Sequence, residues 1–255
     1  MSQAKTEQAV LVERQERIMV ITLNRPDAMN AINGELSHGL WEAILELNED
    51  PGLTAAVLTG AGRGFCSGMD LKAFARGEDI GPMLEFVQNG STKPLIAAIE
   101  GFALAGGLEL ALSCDLLVAA TGCKLGIPEV GVGLFAAGGG LFRLPSRVGY
   151  ARAMEMAITG DPITAEDAFS RGLISRVTEK GGALTEAISL AVRIAQNAPL
   201  AVAASKAIVR GVSGSTEAEL WDLQKPFMQT VWGSDDAKEG PRAFAEKRAA
   251  RWTGT

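Results

Sequence analysis

The sequence predicts an α/β core followed by a helical C-terminal portion. Three observations carry that expectation. Short apolar strands alternate with helical segments up to about Gly149, helices dominate beyond it, and 30 glycines, many of them clustered, mark tight turns and close backbone approaches. A chain of 255 residues buries about 70–75% of the surface its unfolded form exposes, so it needs no disulfide or metal to fold. The composition is globular, 47% hydrophobic and 21% charged, and with only 5% aromatic residues the core has to be aliphatic.

In order along the chain, residues 9–13 and 18–23 flank a polar stretch at 14–17 and read as an antiparallel hairpin. Leu36, Leu40, Ile44 and Leu47 recur at helical spacing, and Asp50-Pro51-Gly52 ends that helix. A strand at 55–58 opens into a glycine-rich stretch at 59–72, and Pro94 introduces a strand at 95–99. A helix around 108–113 and strands at 116–119 and 124–126 complete this part. Beyond it, helices are expected at 151–159, from a Thr164 cap to Ser170, and at 183–197, 200–209 and 217–231, with one strand at 173–177. The organisation expected is a core over residues 1–195 and a helical region over 196–255 that makes oligomer contacts.

Charge and ligand inventory exclude several functions. Lys and Arg number 24 against 30 Asp and Glu, a net charge of −6, which argues against a nucleic-acid backbone as partner. Cys66, Cys114 and Cys123 have no close pair and His38 is the single histidine, so neither a disulfide framework nor a metal site is expected. No basic-then-apolar leader opens the sequence, and no apolar run approaches the length of a bilayer-crossing helix. The expectation is a cytoplasmic protein with no membrane partner.

Two glutamates stand apart. Between Glu100 and Asp115 the only charge is Glu109, in the first turn of a helix that follows Gly106-Gly107. Between Lys124 and Arg143 the only charge is Glu129. A carboxylate isolated in an apolar setting is disfavoured in its ionised form, which moves it into the range useful for acid–base chemistry. The plain alternative is that each reaches solvent or caps a helix, but two such residues beside these glycines favour a paired role at one site. Gly106 offers a backbone N–H at a helix start, and the turn through Cys66, Ser67, Gly68, Met69 and Asp70 offers a second. Two converging N–H groups would polarise a carbonyl or thioester.

Three apparent motifs fail. GAGRGF (60–65) begins as a dinucleotide fingerprint but has Phe65 where the third glycine belongs. GFCSG (64–68) fits a nucleophile elbow, yet the only histidine precedes Cys66, contrary to the order of that triad. His38 itself lies on a helix beside Trp41 and Glu42, as a surface or core histidine would.

In sequence order, several stretches resemble the enoyl-CoA hydratase/isomerase (crotonase) family, and the likeness runs over nearly the whole chain. LNRPDAMNAI (23–32) is similar to its N-terminal motif, GRGFCSGMDLK (62–72) to its first oxyanion loop, and IEGFALAGGLELALSCD (99–115) to its second. GIPEVGVGL (126–134), ITGDPITAEDAFSRGLISRV (158–177) and DDAKEGPRAFAEKR (235–248) complete the series. The resemblance implies a crotonase-like spiral of ββα repeats with a helical C-terminal trimerisation region, assembled as a homotrimer or a hexamer. It implies oxyanion-hole N–H groups from Met69 and Gly106 and catalytic carboxylates Glu109 and Glu129. Arg25, Phe65, Cys66, Gly68, Asp70 and Leu71 match positions at the CoA site, and Phe244 and Lys247 match tail residues that reach CoA, often across a subunit boundary. Leu134, Leu141 and Phe142 fall around the acyl pocket. No cofactor is implied, since coenzyme A enters as part of the substrate thioester.

The chain departs from the family pattern at Leu141-Phe142, where many hydratases are polar, at Ala136-Ala137, where proline is common, and at Met69 and Ala105, which are often smaller. All four places bear on the acyl group rather than the chemistry. The activity implied is hydration of a trans-2-enoyl-CoA to a 3-hydroxyacyl-CoA. Three other readings stay open: an isomerase, which relies on one carboxylate near the Glu129 position, another acyl-CoA lyase of the same family, and a non-catalytic acyl-CoA-binding protein on the same fold. Retention of both glutamates favours hydration.

Overall fold

The computed structural model describes residues 8–255, so the reading of residues 1–7 as free of a leader lies outside the described residues. The strands are β1 (Val10–Gln15), β2 (Ile18–Leu23), β3 (Ala55–Gly60), β4 (Leu95–Ile99), β5 (Phe102–Leu104), β6 (Leu116–Ala120), β7 (Lys124–Gly126), β8 (Ile163–Thr164) and β9 (Arg176–Thr178). The helices are α1 (Gly34–Glu49), α2 (Leu71–Ala75), α3 (Gly81–Asn89), α4 (Gly106–Ser113), α5 (Gly140–Val148), α6 (Tyr150–Thr159), α7 (Ala165–Ser170), α8 (Ala183–Ala195), α9 (Pro199–Gly211), α10 (Glu217–Gly233) and α11 (Asp235–Ala245).

The expected hairpin forms, antiparallel, with Gln15 opposite Ile18. Four further strands extend it in parallel, giving the order β1-β2-β3-β4-β6-β9, while β5, β7 and β8 make a separate three-stranded sheet. Successive strands β4, β5, β6 and β7 alternate between the two sheets, so the chain winds as a spiral rather than as a doubly wound layer. This alternation places the β5-to-α4 turn and the segment after β7 side by side, since β5 and β7 pair in parallel with Leu104 opposite Gly126.

Parallel strands buried on both faces need apolar residues at every position, and β3 and β4 supply them. Ala56, Leu58, Ala97 and Ile99 face the main core beneath α1, α3 and α4. Ala55, Val57, Ile96 and Ala98 face a second core completed by Ala183, Ala187 and Ala191 of α8. Alanines at i, i+4 and i+8 make a smooth stripe that lets α8 lie close on the sheet. By contrast, α10 buries none of its residues, and Trp221 and Trp232 on it are exposed. Among the described residues, no single helix is long and apolar enough to cross a membrane.

The sequence reading did not include α2, α3, α5, α11, β5 or β8, and one expected element is displaced. The strand predicted at 173–177 begins only at Arg176, because Leu173 and Ile174 are spent in a turn that buries both in the main core before the chain reaches the sheet.

Candidate active site

The site begins at the turn entering α4. Ala105 holds φ 51°, ψ −132°, a conformation that a residue with a Cβ adopts only under strain, and such strain concentrates where geometry has to be fixed. The turn is locked by the Ala105 N–H donating to Gly126 O (2.9 Å) and the Leu104 N–H donating to Cys66 O (3.0 Å). Facing it is Gly68 at φ 102°, where a Cβ would sit 2.6 Å from that of Ala105 and 3.3 Å from Gly106 N. Only glycine allows the two loops to approach this closely. Ile32 N–H donates to Gly68 O (2.8 Å) and Asp70 N–H to Ile32 O (2.9 Å), which fixes the peptide on either side of Met69. Among the described residues, the N–H groups of Met69 and Gly106 have no protein acceptor. They are two fixed donors available to a carbonyl oxygen.

Glu109 follows one turn into α4 and is 3% exposed. Gly140 N–H donates to its Oε1 at 2.9 Å, and a Cβ on Gly138 would come within 2.7 Å of its Oε2. The Gly138–Gly140 run therefore exists so that backbone can touch a carboxylate. Burial pushes the Glu109 carboxyl above the ordinary range, while the backbone N–H groups of Gly140 and Gly138, and the Arg143 charge beyond them, pull it back.

Glu129 comes from the 3-10 turn Pro128–Val132 that follows β7. Its Oε2 is buried with no hydrogen-bond partner among the described residues. Burial is the main cause, and the nearby Glu109 charge a smaller one, that pushes its carboxyl up to about 7. Both glutamates line one cleft of about 380 Å³, together with Met69 and Gly106. A carboxyl pushed up to about 7 thus shares the cleft with one held by backbone donors and with two free N–H groups.

The cleft also brings in Leu71 and Leu134 from the residues expected at the site. Its apolar wall is completed by Ile80, Met83 and Leu84 around the start of α3. The other expected residues lie elsewhere. Phe65 and Cys66 point away into the core, both with no exposed surface. The Cys66 Sγ–H donates to Asn30 O, and burial pushes its thiol up to about 12, so it is no nucleophile. Arg25 and Asp70 form an ion pair of 3.2 Å behind the loop, where Asp70 also caps α2 through the Lys72 and Ala73 N–H groups. The Ala73 N–H chiefly, and the Arg25 guanidinium after it, hold the Asp70 carboxyl below the usual carboxylate range. Leu141 lines a neighbouring apolar cavity of about 370 Å³ that shares Glu129 and Phe135 with the cleft. Phe142, 72% exposed, does not meet either cavity and lines a cationic one with Arg143, Arg147 and Arg210. Phe244, 87% exposed, and Lys247 follow or end α11 and do not line the cleft within one chain. His38 is a surface residue 3.2 Å from Asp79.

Sequence reasoning missed the glycine run that holds Glu109 and the apolar wall from α3. The run was visible as three consecutive glycines, but its partner lies 29–31 residues earlier, and nothing in the spacing connects them.

With this geometry in place, the comparisons with known proteins agree. A sequence profile described as Enoyl-CoA hydratase/isomerase matches residues 13–255. Enoyl-CoA hydratase EchA19 of Mycobacterium tuberculosis is 41% identical over 250 residues, covering 94% of each chain. Carnitinyl-CoA dehydratase of Proteus mirabilis is 40% identical, covering 93% of this chain and 95% of its own. The crystal structure of enoyl-CoA hydratase EchA1 from Mycobacterium marinum superposes with a TM-score of 0.94 at 51% identity, covering 98% of this chain and 100% of that one. The two-sheet spiral is accordingly the crotonase fold, and the chain belongs to the enoyl-CoA hydratase/isomerase family.

Proposed function

We propose that this protein adds water across the 2,3 double bond of a trans-2-enoyl-CoA, giving a 3-hydroxyacyl-CoA. The observation that carries the reading is the buried Glu129 Oε2 without a partner, in the same cleft as Glu109 and two free backbone donors. A buried, unpaired carboxyl pushed up to about 7 is costly to fold around and suits an acid catalyst.

The two environments assign the two roles. Glu109, steadied by the Gly140 N–H, is the carboxylate that takes a proton from water as the water oxygen bonds to C3. The π electrons of C2=C3 move onto the thioester oxygen, which accepts from the Met69 and Gly106 N–H groups. Glu129, pushed up to about 7, then gives its proton to C2. The proton gained by Glu109 and the one lost by Glu129 are equalised through solvent before the next turnover. Losing one such oxyanion donor typically costs about 10²–10³ in rate. Run backwards, the same pair removes water, the direction named for the Proteus mirabilis relative.

In this reading coenzyme A is only the carrier on the thioester, and no step is assigned to a metal or nicotinamide. Leu71 and Leu134 line the cleft and Leu141 the adjoining apolar cavity, while the Arg25–Asp70 pair supports the loop from behind. Phe244 and Lys247 reach a CoA only from a second copy in a trimer or hexamer, for which α10 with its exposed tryptophans is the contact. The test is the loss of enoyl-thioester absorbance with crotonyl-CoA. Wild type should turn over, and Glu109→Gln and Glu129→Gln should each fall by about 10²–10⁴. Wild-type rates in either variant would overturn the assignment.

A further inference from the structure

The Arg143 side chain has a position that stability alone does not explain. Half-buried on α5, it forms no ion pair among the described residues, and its donors go only to neutral acceptors. Nη1 donates to Ser113 Oγ (2.9 Å) and to Gly138 O (3.4 Å), and Nη2 to Val87 O. Ser113 Oγ in turn donates to Glu109 O (2.8 Å). The charged groups facing Arg143 are the like-charged Arg147 of α5 and Arg210 of α9, and one opposite charge, Glu109. Burying a cation among cations, without a partner carboxylate, costs stability. The neighbour that gains is Glu109.

We propose that Arg143 is the positioning residue for Glu109: its guanidinium ties together the glycine run, the α4 backbone and α3, and so fixes the carboxylate's place and sets a positive charge behind it. Gly138 lines the cleft itself, and the other two acceptors lie on the helices that carry its remaining walls. Gly138 lies against Glu109 Oε2, Ser113 is one turn beyond Glu109 on α4, and Val87 is in the last turn of the helix that carries Met83 and Leu84. A planar fork can span three such acceptors at fixed angles, and an ammonium cannot. The charge acts on Glu109 in the direction a base needs, favouring its ionised form against burial. The Glu109 charge in turn raises the carboxyl of Glu129 across the cleft.

The inference rests on Glu109 being the base, so the test has a readout that needs no turnover. Protein carrying ¹³C-carboxyl glutamate would be titrated by NMR, with the Glu109 signal assigned by its loss in Glu109→Gln. Kcat and KM for crotonyl-CoA would be measured on the same samples. In Arg143→Met the Glu109 titration should move to higher pH, and kcat should fall about 10–100-fold with KM nearly unchanged. In Arg143→Lys the charge remains, so the titration should stay near wild type while kcat still falls, because the fork is lost. An unmoved Glu109 titration in Arg143→Met, or wild-type kcat in Arg143→Lys, would overturn the proposal. Should Arg143→Met fail to fold, the Lys variant decides by its kcat. If wild type itself does not hydrate crotonyl-CoA, the hydratase reading fails, and the titration of Arg143→Met alone decides the role of Arg143.

Discussion

Glu109 and Glu129 share a cleft but not an environment. Glu109 sits inside a helix, nearly without exposure, and the protein offers it a backbone N–H and a nearby guanidinium. Glu129 sits on a 3-10 turn at the cleft wall, and the protein leaves one of its oxygens without a partner. Burial raises both; Glu109 is pulled back by two glycine N–H groups and a guanidinium, Glu129 only by its own backbone N–H. The difference teaches that two identical side chains, both pushed up by burial, are prepared for different roles by what the backbone does around them, and that glycine is the means at Glu109.

The comparison can be broken most strongly at the compensated side. Gly138→Ala would place a Cβ 2.7 Å from Glu109 Oε2 and has to displace the carboxylate. A shift of about 1 Å at a catalytic group can cost about 100-fold, so kcat for crotonyl-CoA should fall by about 10–100-fold, with overpacking costing about 1–3 kcal/mol in denaturant titrations. A variant with wild-type kcat would show that the glycine run does not hold Glu109.

The pH profile sharpens the same contrast. Activity needs Glu129 protonated and Glu109 ionised. As pH rises through about 7 the Glu129 proton is lost, so kcat/KM should fall on the alkaline side by about tenfold per pH unit. On the acid side it should fall as Glu109 is protonated, with a midpoint above the ordinary carboxylate range. A profile flat between pH 6 and 9, in about the range where Glu129 titrates, would contradict the roles assigned.

The smallest effect is on stability. The folded-state pKa of Glu129, about 7, lies above the 4.5 of a free glutamate, so the folded protein holds a proton that the unfolded chain releases. The associated stability is fully present below pH ~4.5 and is lost as pH rises through 7. Discounted for a partly exposed group, the loss is about 1–2 kcal/mol. Glu129→Gln removes the titration, and should be more stable than wild type by about that amount at pH 8 and equal to it at pH 4. Thermal melts at the two pH values would read the difference, and equal melting at pH 8 would show that Glu129 is not held protonated.

Much of this was legible in the sequence, for physical reasons. Glu109 and Glu129 stood out because charge isolated in apolar sequence is rare unless it is used, and the Gly68 and Gly106 turns because strand-to-helix junctions expose N–H groups. The strands β3 and β4 announced themselves as continuous apolar runs. What stayed hidden depends on contacts distant in sequence. The Gly138–Gly140 run has meaning only against Glu109, and α3, nine residues opening on Gly-Pro, carries too few turns for its period to show. Helix α5 contains Pro145 and α11 contains Pro241, each of which reads as a break. Phe142 looked like a pocket residue beside Leu141, but neighbours on a helix point about 100° apart, and the two lie in different cavities.

The division of labour between the glutamates is tested most directly by C2-proton exchange of butyryl-CoA in D2O, a saturated thioester that cannot be hydrated. Exchange needs the oxyanion donors and the group that serves C2, but no activated water. The account predicts exchange in wild type, near-wild-type exchange in Glu109→Gln, and none in Glu129→Gln. Exchange lost in Glu109→Gln and kept in Glu129→Gln would reverse the two roles and contradict it.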